Sequence, residues 1–271
     1  MLRKDVEWTL PAEYLTLQLV SFDRPAVASS LQELLRDSLI DKIGSLVRDP
    51  SETVWWFHEV LGEGDAYSQT KWHELMHSAI RRNAPFDFSV ADEDDLWSSF
   101  IFAGYLSRRG DLHLGISLKK DKLAGELPTA ESFLLALGHD LVARMNARVG
   151  YLSLDGWPTW NGRVSSPLEA YYGLIEERLV KSLKERTRGV YWANWWHKEL
   201  IGGKVDIDDV VKNLCPAEQG WLPEKSHWYF RITDHADQVD REIVREWMAA
   251  LRPLMPEGRP VYYFPRQEWK V

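Results

Sequence analysis

Histidines 73 and 77 stand one helical turn apart in His73-Glu74-Leu75-Met76-His77, the spacing in this chain that speaks most directly of chemistry. On a helix, imidazoles at i and i+4 project from one face and can hold a zinc ion between them. Glu74 would then act as general base on the zinc-bound water, which the cation acidifies toward neutral pH. That set predicts a zinc-dependent hydrolase with His73 and His77 as metal ligands and Glu74 in the catalytic role. A plainer reading uses the same helix, expected over 68–82. Trp72, Leu75, Met76, Ala79 and Ile80 form an apolar stripe, and the histidines lie beside it as solvated boundary residues.

The segment resembles the zincin metalloprotease signature, which would require a third ligand from elsewhere. Glu131, Glu176 and Glu177 lie on later helices, and nothing in the spacing selects among them. Lys71 sits where zincins prefer an uncharged residue, and no glycine and third histidine follow. The other chemical signatures are missing. There is no Gly-x-Ser-x-Gly elbow, and the glycines at 44, 62, 64, 104, 110 and 115 form no phosphate-cradling loop. The single cysteine, Cys215, excludes an intramolecular disulfide and a CxxC metal knuckle. Its sequence neighbours Asp206, Asp208, Asp209 and Glu218 are the opposite of the electropositive setting a reactive thiolate needs.

Two further features suit recognition better than catalysis. Asp92-Glu93-Asp94-Asp95 is an acidic run in a stretch read as a loop from Asn83 to Asp95, and it would steer a partner with a basic surface. Trp157 and Trp160 fall in the turn-rich Asp155-Gly156-Trp157-Pro158 and Trp160-Asn161-Gly162, where exposed indoles would make an apolar contact patch. The formal net charge is −8, which argues against nucleic-acid and anionic-membrane partners because both need a basic footprint. Neither an apolar start nor a run of about 20 apolar residues is visible. The expectation is a cytoplasmic, soluble protein.

The elements that must position these residues follow from periodicity. Leu15, Leu17 and Leu19 alternate with polar neighbours and predict a half-buried strand over 14–20; Leu112, Leu114, Ile116 and Leu118 predict another. A helix over about 129–147 after Pro128 and a strand over 149–154 complete a strand–helix–strand unit. The same order recurs at 228–264, with Val239, Ile243, Trp247 and Leu251 as the helix stripe. Further helices are read over 25–39, 167–185 and 206–214, and a strand over 53–57. In Asp234-His235-Ala236-Asp237 the acids are expected to cap the helix that follows. The expected architecture is α+β: a mixed or antiparallel sheet with helices packed on it, in two pseudo-repeated halves, 1–110 and 111–271, or one compact domain.

Fourteen tryptophans make the composition unusual, and three of them crowd Gly189-Val190-Tyr191-Trp192-Ala193-Asn194-Trp195-Trp196-His197. Read as a strand, Val190, Trp192 and Trp196 share one face and Tyr191, Ala193 and Trp195 the other, so both faces are apolar and the strand is central. Arg188-Gly189-Val190-Tyr191-Trp192, followed by Gly202-Gly203, resembles a bacterial family of type VI secretion immunity proteins. The Gly150-Tyr151 strand entry and the strand–helix opening of 14–40 fall in the same order. The resemblance implies a cytoplasmic α+β protein that binds a cognate toxin and occludes its active site, without enzymatic activity or cofactor. It assigns no binding residue.

Overall fold

The computed structural model describes residues 14–23, 39–47, 55–58, 63–66, 86–91, 99–106, 112–155, 184–187, 189–204 and 206–255. Their backbone builds one ten-stranded sheet in which every neighbouring pair is antiparallel. The strands are β1 (Tyr14–Ser21), β2 (Trp55–His58), β3 (Glu63–Ala66), β4 (Phe86–Ala91), β5 (Phe100–Leu106), β6 (Leu112–Lys119), β7 (Ala147–Asp155), β8 (Ala193–His197), β9 (Glu218–Trp221) and β10 (His227–Arg231). Their spatial order is β3-β2-β4-β5-β6-β1-β7-β8-β10-β9. The described helices are α1 (Leu39–Gly44), α2 (Leu127–Arg144), α3 (Lys198–Ile201), α4 (Ile207–Lys212) and α5 (Arg241–Ala250). The fold is α+β.

β1 is the spine of the sheet. It lies between β6 and β7, so those two strands run parallel to each other with β1 antiparallel to both. All eight of its residues are buried, where alternation alone predicted one solvated face. On one face Leu15, Leu17 and Leu19 are apolar and lie beneath α2. On the other face, between Tyr14 and Val20, the polar side chains are satisfied: the Thr16 and Ser117 hydroxyls bond each other at 3.0 Å, and Tyr151 donates its hydroxyl to Gln18 Oε1. A buried polar side chain is tolerated when its hydrogen bonds are made, and that is what separates a two-sided central strand from the amphipathic pattern it imitates.

α2 begins two residues before the expected start, with Pro128 in its first turn, and Met145 follows its end as C-cap. Its buried face is Ala130, Glu131, Leu134, Gly138, Leu141 and Val142; Phe133 and Leu137 are half-buried. Gly138 faces the sheet at the point where the Trp195 indole of β8 takes the space. β6, α2 and β7 form the first strand–helix–strand unit. The second is seen through β10 and α5; its returning strand at 261–264 and the helix expected over 68–82 lie outside the described residues, as do those expected over 25–39 and 167–185 apart from Leu39, Lys184 and Glu185.

β8 carries the tryptophan cluster, and both faces of this strand are covered. Trp195 packs on the α2 face, and Trp196 on the other with Trp228 at 6.3 Å, Phe230 at 4.9 Å and, stacked on Phe230 at 4.9 Å, Trp247 of α5. Both β8 indoles are wholly buried. At about 150–250 Å² per aromatic side chain and about 25 cal/mol per Å², each contributes several kcal/mol to folding. The strand is shorter than expected, because the Asn194 side chain binds both Tyr191 backbone groups, accepting from its N–H at 3.0 Å and donating to its carbonyl at 2.7 Å. That loop ends the alternation. Tyr191 therefore stacks on Tyr151 at 3.8 Å, on the same sheet face as Trp196, rather than on the face of Trp195.

Phe86–Ala91 is a strand inside the stretch from Asn83 to Asp95 whose composition predicts a loop. The six residues pair with β5 along their length, so Pro85 and the acidic run flank a strand instead of marking a continuous loop. β9 had no apolar alternation to announce it: Glu218, Gln219, Gly220 and Trp221 form the last strand in the sheet order, held by β10. Among the described residues no helix is long and apolar enough to cross a membrane.

Candidate functional site

Four strand ends meet at one edge of the fold. Ser21 pairs with Ala147, Val149 with Trp196, and His197 with His227. This register brings together the end of β1, the start of β7, the β8–α3 junction and the hairpin before β10, around a cleft of about 700 Å³. Phe22 and Asp23 line it from β1, Asn146 and Arg148 from the start of β7, and His197, Lys198 and Glu199 from the β8–α3 junction. Lys184 and Ser226 complete the wall.

Local chain geometry explains each placement. Asn146 adopts φ 46°, a left-handed conformation that asparagine tolerates better than most residues, and so turns the chain from α2 into β7. Its amide donates to Asp23 Oδ2 at 3.0 Å, while the Ser21 hydroxyl donates to the Met145 carbonyl at 2.6 Å and accepts from the Asp23 N–H at 3.1 Å. The end of β1 is thereby tied to the end of α2.

Arg148 is the brace of the cleft. Its Nε donates to the Lys184 carbonyl at 2.9 Å, Nη2 donates to the same oxygen, and Nη1 reaches both Glu199 Oε2 and His197 Nδ1, the latter at 3.2 Å. The Glu199 carboxyl is held below its ordinary range by this hydrogen bond and by the guanidinium charge. The Lys184 ammonium rests over the Phe22 ring, 5.1 Å from its centroid.

His197 ends β8 and caps α3, its Nδ1 accepting from the Glu199 N–H at 3.3 Å. Two donors converge on Nδ1, one of them a guanidinium, so this nitrogen carries no proton and the neutral ring keeps its proton on Nε2. Burial lowers the His197 pKa first; His227, Arg148 and Lys198 lower it further, and Glu199 opposes them. The His227 ring stands 5.1 Å away and is fully buried; its Nε2 donates to the Ala147 carbonyl at 2.7 Å, and its Nδ1 faces Glu224 Oε1 at 3.0 Å and Ser226 Oγ at 3.1 Å.

Two other histidines are structural. His139 of α2 accepts at Nδ1 from the Trp195 indole N–H at 3.1 Å and sits edge-on to Tyr229 at 4.5 Å, and burial pushes its pKa down against Glu218 and Glu224. His235, expected among capping acids, instead binds the buried Glu131 carboxylate at 2.9 Å; the Ala236 N–H donates to its other oxygen at 2.8 Å. The Glu131 hydrogen bond raises the His235 pKa. The cap of α5 is Asp240, which accepts from the Glu242 and Ile243 N–H groups, both at 2.8 Å.

His73, Glu74, His77, Asp92, Glu93, Asp94, Asp95, Trp157 and Trp160 lie outside the described residues. Cys215 is exposed, with Sγ 4.0 Å from the Lys212 carbonyl. Among the described residues no three histidine, cysteine or carboxylate side chains are grouped to hold a metal ion. Nothing in the linear sequence links Arg148, Lys184 and His197, because they meet only through strand register; the sole linear signal is a histidine closing the tryptophan run.

No protein-family model matches the chain, and no curated protein matches it in sequence. The fold is nonetheless shared. The solved structure of the Pseudomonas aeruginosa T6SS protein PA0821 superposes with a TM-score of 0.58 at 15% identity, covering 92% of this chain and 79% of that one. A structure of the toxic C-terminal tip of CdiA from Pseudomonas aeruginosa in complex with immune protein also matches, with a TM-score of 0.27 at 13% identity, over 52% of this chain and 86% of that one.

Proposed function

We propose that this chain is a non-enzymatic protein-binding module, an immunity protein that neutralises a cognate toxin by covering its active site. The observation that carries the reading is the fold shared with a T6SS protein over 92% of the chain. The Gly189–Gly203 segment supports it, since the family it resembles is one of type VI secretion immunity proteins, and its tryptophans are core residues that leave recognition to the surface. The contacts we propose are the acidic run Asp92, Glu93, Asp94 and Asp95 as an electrostatic rim and Trp157 and Trp160 as apolar anchors, matching a partner with a basic surface.

The test is co-production with the product of the adjacent gene as candidate toxin. The expected result is a stable complex that co-purifies at low salt and a host rescued from growth arrest. Failure to co-purify and to rescue would overturn the reading. Charge reversal at Asp92–Asp95 is expected to slow association and flatten its salt dependence.

A further inference from the structure

The cleft braced by Arg148 holds more donor capacity than the protein uses. His197 is only 8% exposed, both of its fixed donors reach Nδ1, and its Nε2 has no hydrogen-bond partner among the described residues. The ring, held this tightly, lines the cleft with one N–H unused. Lys184 and Lys198 line the same space. The Lys184 ammonium contacts an aromatic face, and neither lysine is paired with a carboxylate among the described residues. The two acids of the cleft bond to groups of its own wall: Glu199 to the Arg148 guanidinium, and Asp23 to the Asn146 amide. In a chain of net charge −8, the cleft sets three cations (Arg148, Lys184 and Lys198) against two carboxylates (Asp23 and Glu199), which leaves it net positive beside a buried donor.

An anionic ligand would meet this net positive charge, whereas a hydroxyl ligand would leave both ammonium groups without a counter-charge. The cavity, at about 700 Å³, falls within the range of small-ligand sites. Arg148 supplies the preorganisation, since one guanidinium fixes both the Lys184 backbone and the His197 ring. We propose that the cleft is a binding site for an oxyanion, a phosphate or carboxylate group, which accepts from His197 Nε2–H and is flanked by the ammonium groups of Lys184 and Lys198. This goes beyond the immunity reading and does not depend on it.

The experiment titrates inorganic phosphate, and separately acetate, into the ¹⁵N-histidine-labelled protein and follows the ring nitrogens by NMR. The expected result is a saturable shift of His197 Nε2 that the double variant K184Q/K198Q weakens at least about tenfold, the loss expected when charged partners of an anion are removed. The variant K120Q/K122Q, altered at exposed lysines at the opposite end of β6, is expected to bind as the parent does. An unmoved His197 signal, or equal weakening by both variants, overturns the proposal. A thermal melt of K184Q/K198Q coincident with the parent's shows that the loss is local. Where the oxyanion belongs to the toxin, K184Q/K198Q also weakens the complex and phosphate competes with it; where it belongs to a small molecule, the complex is unaffected by either.

Discussion

Trp195 lies directly across the β7–β8 ladder from Gly150, and its indole occupies the space that a side chain at Gly150 would need. A Cβ built at Gly150 falls 2.8 Å from Leu19 Cδ2, 3.0 Å from Val142 Cγ2 and 3.3 Å from Trp195 Cε3. From above, Gly138 of α2 presents the same gap: its Cβ would come within 2.7 Å of Trp195 Cη2. One tryptophan thus keys into two glycines, one from the sheet and one from the helix.

Gly150→Ala is expected to destabilise the fold by about 1–3 kcal/mol, the cost of overpacking a filled core. Gly138→Ala gains up to about 1 kcal/mol of helix propensity and loses more to the clash with the indole. Gly44→Ala, with nothing within 4 Å of the new methyl, is the control and should be neutral or stabilising. Urea unfolding followed by tryptophan fluorescence ranks the three.

His197 makes stability depend on pH in a defined direction. Its folded pKa lies below the ordinary value of 6.5, so the unfolded chain takes up the proton first. The contribution is complete above about pH 6.5 and is lost as pH falls below it toward the folded value. His197→Asn keeps a capping side chain for α3 and should remove this part of the slope. Unfolding free energies measured from pH 8 to pH 5 check it; an unchanged slope would sink the assignment.

His235 carries the opposite sign. Its pKa is raised by Glu131, so its contribution is full below about pH 6.5 and disappears as pH rises through the folded value. Glu131→Gln keeps an acceptor for the Ala236 N–H but removes the negative charge, and should return the His235 titration toward 6.5. Histidine NMR separates this curve from that of His197.

The metal question has its own measurement. If His73 and His77 hold no structural ion, the purified protein carries less than stoichiometric zinc, and His73→Ala and His77→Ala keep the parent's melting temperature and toxin binding. Stoichiometric zinc that is lost on His73→Ala would instead favour the hydrolase reading with Glu74 as base.

How much of this was legible in the sequence depended on whether the signal was local. The strands 14–21 and 112–119, and the α2 and α5 helices, announce themselves through the period of their apolar residues. Burial on the second face of β1 does not, because it rests on Thr16 and Gln18 finding Ser117 and Tyr151 more than a hundred residues away. β4 was hidden by the proline and acids beside it, and β9 by its position at the end of the strand order, where polar residues are ordinary. The cleft was illegible for the same reason: Arg148, Lys184 and His197 become neighbours only once β7 and β8 are in register.

Asn194 shows how one buried polar residue can set the limits of a strand. It is wholly buried between the aromatic layers, and its amide completes two hydrogen bonds to Tyr191 that would otherwise belong to a longer β8. Asn194→Ala removes both, at a cost of about 1–3 kcal/mol, with a small cavity added. Asn194→Asp keeps the acceptor for the Tyr191 N–H but sets a carboxylate oxygen against the Tyr191 carbonyl, so it should be worse than alanine at neutral pH and recover toward acid, where the carboxyl can donate. Unfolding measurements at pH 7 and pH 4, each normalised to the parent at the same pH, distinguish the two variants. An aspartate variant as stable as the alanine variant at pH 7 would mean that this amide does not hold the Tyr191 carbonyl.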